Sequence, residues 1–235
     1  MQMKTILLKF AGPLQSWGTN SQFENRSTDR HPSKSAVVGI LAASFGYSRY
    51  DTRIERFNQL DFAVRIDQPG ELLSDYHIAQ KFKSDGQMDR VYVTNRQYLQ
   101  DAVFVVALGS DDADWIAEIE HALRHPCFQT FLGRRSNPLT ADFFIGTESK
   151  DVITSLEELE WQASDWYRRK NIDNEFLSIY ADAHLIKDSP KQMVRDRVVS
   201  FSQKERLHGY RAVARKNIVL MPSGVGDNHD AFNAF

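Results

Sequence analysis

Apolar positions along this chain change period several times, and each change marks an element. Residues 5–10 form a short apolar run ended by Gly12-Pro13, the pattern of a buried strand. Val37, Val38, Ile40, Leu41 and Phe45 then recur at helical spacing. With Ser33 as a cap in front and Gly46 as a stop behind, they predict a helix over 33–45. A shorter helical stretch near 51–60 leads to the alternating strand Phe62-Ala63-Val64-Arg65-Ile66. From Leu73 to Tyr98 polar and aromatic residues flank the turn Ser84-Asp85-Gly86, which predicts a hairpin, about 75–100, that protrudes from the core. Residues 102–108 are again an apolar strand, and 111–125 an amphipathic helix with Trp115, Ile116, Ile119 and Leu123 facing inward. Phe143-Phe144-Ile145 supplies a closing strand.

The order β-α-β, hairpin, β-α-β predicts an α+β fold with a ferredoxin-like or RRM-like sheet over residues 1–146. Beyond Gly146 an acidic connector (Glu148, Asp151, Glu157, Glu158, Glu160, Asp165) replaces helical periodicity. Short alternating segments near 195–201 and 212–221 follow, so 147–235 is expected to be a small β-rich second domain with a loose tail from Ser223.

Composition narrows the setting. The 235 residues are 42% hydrophobic, enough for a sizeable core. A net charge of −2 excludes a chain that is basic throughout, so a nucleic-acid site has to be a local patch. The lone Cys127 excludes an internal disulfide and multi-cysteine zinc sites and fits a reducing, cytoplasmic setting. The longest apolar run, 36–45, is too short to span a bilayer, and no membrane contact is expected. His121 and His125 stand four apart on a predicted helix but lack the Glu of a zinc-protease motif; they read as solvent-facing, and no metal or other cofactor is expected.

Anion-binding chemistry gathers in three places. Leu132-Gly133-Arg134-Arg135-Ser136-Asn137-Pro138 holds two adjacent guanidiniums, which cannot both pack inward. The alternative to a polyanion is an ion pair with the acidic 111–120 helix, which one arginine can make while the other faces the polyanion. The N-terminal segment, with Trp17, Arg26 and His31, runs into a helix opened by Lys34 and Ser35, where free N–H groups favour a phosphate. Trp17 either stacks a splayed base or caps the sheet edge. A Walker-type loop is excluded because the glycine spacing before Lys34 is missing. In the hairpin, Lys81, Lys83, Arg90, Asn95 and Arg96 interleave with Phe82, Tyr92 and Tyr98, a mixture suited to a single strand of nucleic acid. Asp75-Tyr76-His77 resembles half an acid–base pair, but with no partner base in reach by spacing it reads better as the hairpin's base. Lys187, Lys191, Arg195, Arg197, Lys204, Arg206, Arg211, Arg215 and Lys216 against three acids give a local charge of +6 with no assigned ligand.

Gly12-Pro13-Leu14-Gln15-Ser16-Trp17-Gly18, Pro32-Ser33-Lys34-Ser35, Asp75-Tyr76-His77, Arg96-Gln97-Tyr98-Leu99-Gln100-Asp101-Ala102 and Leu132-Gly133-Arg134-Arg135-Ser136, in this order and spacing, resemble the CasD family. These are RAMP-superfamily subunits of the type I-E CRISPR surveillance complex, Cascade. The resemblance covers about residues 3–146. It implies a RAMP fold whose hairpin is an arm called the thumb, and a subunit that holds the 5′ handle of the CRISPR RNA (crRNA) and caps the complex in antiviral defence. Its implied neighbours are the backbone subunit CasC and the large subunit CasA, with target DNA met only through the complex. Binding without catalysis is implied, since another subunit cuts the precursor; the rival is a metal-independent endoribonuclease acting on repeat RNA. RNA contacts are then expected from Trp17, Arg26, His31, Lys34, Ser35, Tyr76, His77, Lys81, Lys83, Arg90, Tyr92, Asn95, Arg96, Arg134 and Arg135.

Overall fold

Apolar runs in the computed structural model, which describes residues 3–18, 24–173 and 176–220, fall where the pattern places them. In chain order the elements are β1 (Lys4–Ala11), β2 (Leu14–Gln15), β3 (Asn25–Arg26), α1 (Lys34–Ser44), a 3-10 helix (Thr52–Gln59), β4 (Asp61–Gln68), β5 (Glu71–Phe82), β6 (Met88–Gln100), β7 (Val103–Ser110) and α2 (Ala113–Arg124). Then come β8 (Phe144–Glu148), α3 (Val152–Glu158), α4 (Asp165–Lys170), β9 (Phe176–Asp182), β10 (Lys191–Ser200) and β11 (Leu207–Val219). The expected tail from Ser223 lies outside the described residues.

One antiparallel sheet of seven strands runs β10-β11-β9-β4-β7-β1-β8. Its half towards β8 interleaves two crossovers: β1 and β4, joined through α1, flank β7, while β7 and β8, joined through α2, flank β1. Beyond residue 146 the chain extends this same sheet, because β9 pairs with β4 over Ala63–Ile66 and brings β11 and β10 with it. The expected division at 146 is therefore not a break between sheets. Burial supplies the reason. Leu177, Ile179 and Ala181 alternate inward and join Leu7, Ala63, Val105 and Ala107 in a core on one face, which α3 covers with Val152 and Leu156. At seven residues α3 shows little periodicity, and its cap, Asp151 accepting from the Ile153 and Thr154 N–H groups, sits inside the acidic stretch that reads as a connector. The opposite face packs on α1, α2 and the 3-10 helix through Ile6, Phe10, Leu41, Phe57, Phe62, Phe104, Trp115 and Ile119. His121 and His125 are exposed on α2, as expected.

Two devices tie down the chain beyond residue 146. Arg65, 1% exposed, pairs with Asp67 through Nε and Nη2 at 2.7 and 2.8 Å and donates to the carbonyls at the end of α3, Leu159 O at 2.6 Å and Glu160 O at 2.8 Å. On the outermost strand, the Asn58 side-chain amide donates to Val198 O (2.8 Å) and accepts from Val198 N–H (3.1 Å), mimicking one residue of a further strand.

The hairpin departs from the core. β5 and β6 pair from Glu71↔Gln100 to Lys81↔Arg90 and close through Lys83–Gln87 backbone bonding, with nearly every residue from 71 to 93 exposed. β2 and β3 hold only its base, pairing with Leu99–Gln100 and Asn95–Arg96.

Candidate nucleic-acid interface

The Gly12–Gly18 and Leu132–Ser136 segments meet because glycine permits it. Ser16 N–H donates to Leu132 O at 3.2 Å, and Gly133, at φ +81°, lies so close that a β-carbon there would sit 1.6 Å from Ser16 O. Asn137, 4% exposed, closes the second loop by accepting from Leu132 N–H through its carbonyl and donating its own N–H to Arg134 O. From this loop Arg134 lies over the Tyr98 ring, 4.1 Å from its centroid, and its Nη2 donates to Arg26 O at 3.0 Å. The expected ion pair with the acidic helix is absent among the described residues; Arg135 is exposed.

These contacts form one wall of a cleft of about 900 Å³ beside α1. Ser16, Trp17, Gly18, Arg26, Phe128, Thr130, Phe131 and Arg134 line it from the two loops. The floor is the open side of α1, with Ser35, Ala36, Gly39 and Ala43. Tyr47, Ser48 and Arg49, from the turn after α1, and Phe201, Gln203 and Arg206, from the β10–β11 loop, also line it, with the buried Ile40 and Ile54 beneath. Four arginines line this space, and no acidic side chain among the described residues does. Such a field favours an anion, and the volume lies at the upper end of what encloses a small organic ligand. Arg49, Phe201, Gln203 and Arg206 escaped sequence reasoning; the +6 count of the C-terminal segment was the only signal for Arg206.

Two expected contacts turn inward instead. Trp17 is 1% exposed and stacks on Phe10, centroids 5.5 Å apart, while its Nε1–H donates to Gln15 Oε1 at 3.2 Å. It offers no face to a base and is instead part of the core, packed on an inner strand of the sheet. Lys34, 4% exposed, reaches Asp182 at 3.0 Å and the carbonyls of Leu60 and Asn58. Burial pushes its pKa below the ordinary lysine value despite Asp182. Nor is the N-terminus of α1 open to a phosphate: the Lys34 N–H donates to Asp196 Oδ2 at 2.9 Å. Arg211 bridges Asp196 and Asp182 at 2.7 and 2.8 Å, so two cations and two carboxylates balance inside the protein. Burial opposes the charge of Arg211, but the two carboxylates outweigh it and raise its pKa. His31 stacks on Tyr180, centroids 4.4 Å apart, outside the cleft lining; burial lowers its pKa.

Cross-strand register sorts the hairpin residues by face. His77, Lys81, Arg90, Tyr92 and Arg96 share one face, where Asp75 stands opposite Arg96 and Tyr98, further along β6, carries Arg134. Tyr76 and Asn95 stand opposite each other on the other face with the exposed Ile78, Val91 and Val93, so they do not join that cationic row. Tyr76 is 64% exposed and packs nothing at the hairpin's base. Lys81 pairs with Asp89 at 3.1 Å, and Lys83 is exposed beside the turn.

Residues 5–214 match the family model for CRISPR-associated protein Cas5. The chain belongs to that family. It is 32% identical over 203 residues to the Cascade subunit CasD of Escherichia coli (strain K12), covering 80% of this chain and 91% of that one. Among solved structures it superposes on a chain of a CRISPR RNA-guided surveillance complex with a TM-score of 0.75 at 28% identity, covering 92% and 90% of the two chains. A second, a Cas protein crystal structure, gives 0.62 at 26% identity, covering 92% and 94%. These matches bear out the family resemblance carried by the five motifs.

Proposed function

We propose that this Cas5 protein is the crRNA-binding subunit of a type I-E Cascade surveillance complex, in which the cleft and the cationic face of the β5–β6 ribbon hold the 5′ handle. The cleft carries the reading, with Arg26, Arg134, Arg49 and Arg206 and no carboxylate among its described lining. The interleaved crossovers of β1, β4, β7 and β8 are those of a ferredoxin-like RAMP core, and the ribbon is its thumb. A two-stranded ribbon with so little packing is marginal alone, which favours a site where RNA and neighbouring subunits cover it, CasC at the ribbon and CasA nearby. Target DNA is then met through the assembled complex, in the cytoplasm. No helix among the described residues is long and apolar enough to cross a membrane.

The subunit holds RNA without cutting it. The cleft offers guanidiniums, hydroxyls and aromatic rings, which bind a strand, and no imidazole among its described lining; His77, the imidazole on the ribbon face, has no hydrogen-bonded acid or base partner among the described residues. Purified protein is mixed with labelled CRISPR-repeat RNA in EDTA at several salt concentrations. The expected outcome is intact RNA and an affinity that falls by about 0.7 log units per log unit of salt for each phosphate neutralised. Replacing Arg134 and Arg135 together by Ala weakens this binding while the melting curve stays put. Site-specific cleavage would establish the endoribonuclease instead, and an absence of binding at low salt would remove the RNA reading.

A further inference from the structure

The basic C-terminal segment, left without a ligand by sequence, does not act as one patch. Arg211 is consumed by Asp182 and Asp196, and Lys216 pairs with Glu157 of α3. Arg206 points elsewhere: the loop between β10 and β11 brings it, with Phe201 and Gln203, into the cleft that the N-terminal loops and α1 form. Arg49 enters the same cleft from the turn that follows α1. Both arginines are exposed, and neither has an ion-pair partner among the described residues.

We infer that the RNA strand does not stop at the Arg26–Arg134 wall but crosses the open side of α1 to two further phosphate contacts, Arg49 and Arg206. The C-terminal loop thereby becomes part of the binding site. The inference rests on the cleft being an RNA site and extends it to residues outside every segment that carries the family resemblance. Its grounds are charge and shape. Between the two arginine pairs, α1 presents mostly small side chains, Ser35, Ala36, Gly39 and Ala43, and its one longer lining residue, Ile40, is buried at 4% exposure. From Ser35 to Ala43 the helix advances about 12 Å, several times the ~3.4 Å rise between stacked nucleotides. Phe201 meets this floor with the tip of its ring, its Cζ 3.9 Å from where a β-carbon on Gly39 would lie, and so adds an aromatic side chain to the cleft beside α1. The loop is held in register from below: Asp196 on β10 accepts from the first N–H of α1, and Asn58 clips Val198.

Three variants of the full chain test this against labelled repeat RNA, with melting temperature as the control for folding. Arg49→Ala with Arg206→Ala removes two cations, so the slope of log affinity against log salt should shrink by about 1.4. Gly39→Leu leaves the helix as stable or more so, because glycine is a poor helix former, yet places a side chain in the strand's path. Its expected result is weakened RNA binding with an unchanged or raised melting temperature. Arg134→Ala tests the first wall. If Arg134→Ala weakens binding while the other two variants bind RNA with the parental slope and affinity, the extension over α1 is wrong and the RNA reading stands. If Arg134→Ala also changes nothing, the RNA reading itself falls.

Discussion

Arg206 and Arg211 lie five residues apart in a segment that counts +6, and the protein uses them in opposite ways. Arg211 is sealed between Asp182 and Asp196, where its charge and that of Lys34 are cancelled and the N-terminus of α1 is capped. Arg206 is left exposed at a cleft with no acid among its described lining. Local charge density is therefore a poor guide to binding. What decides is whether the fold delivers a carboxylate to the cation, and here only the inward-facing cations receive one from strands β9 and β10. The same division separates Lys34 from its neighbour Ser35, the first turned into the buried network and the second facing the cleft.

The largest expected effect breaks the inward half of this comparison. Asp196→Ala leaves Lys34 and Arg211 with Asp182 alone, and stripping one partner from a buried ion cluster costs about 3–5 kcal/mol. Thermal denaturation should show a fall of several degrees, whereas Arg206→Ala stays within about 0.5 kcal/mol of the parent. Equal melting temperatures for the two would mean that the buried cluster and the cleft arginine do not differ in structural role.

Gly133→Ala comes next and attacks the joint between the two loops. Since a β-carbon there collides with Ser16 O, the loops must part, at an expected cost of about 1–3 kcal/mol and with weaker RNA binding because Arg134 moves with them. A variant that binds RNA and melts like the parent would show that this contact does not position Arg134.

The smallest effect is a pH dependence. His31 and His208 both have pKa values pushed below the ordinary 6.5 by burial, His208 also by Arg206 and Arg195. Near pH 6.5 the unfolded chain takes up protons that the folded one refuses, so their contribution is complete above that pH and is lost as the pH falls below it. The melting temperature should drop on acidification through this range, and His31→Gln with His208→Gln should flatten the profile. An equally steep profile in the double variant would assign the acid sensitivity to other groups.

Much of this was legible beforehand where local pattern and tertiary demand agree. Ser33 caps α1 and Gly46 ends it, Trp115, Ile116, Ile119 and Leu123 face inward on α2, and the hairpin turns at Asp85-Gly86. Trp17 and Lys34 misled because their residue types suit RNA equally well; only the partners Phe10 and Asp182, the latter distant in sequence, draw them inward. Arg49 and Phe201 were invisible for the converse reason. Nothing beside them in sequence marks a site, and the cleft exists only once β10 and β11 have joined the sheet that β1 begins.

Asn58 gives the sheet a boundary. By answering both backbone groups of Val198 with one amide, it occupies hydrogen-bonding positions through which another chain could add itself to the outermost strand. A protein built to sit among many neighbours in one assembly gains from such a stopper: self-association by edge pairing is discouraged at that point, and contact with other molecules is directed to the surfaces that carry its charge.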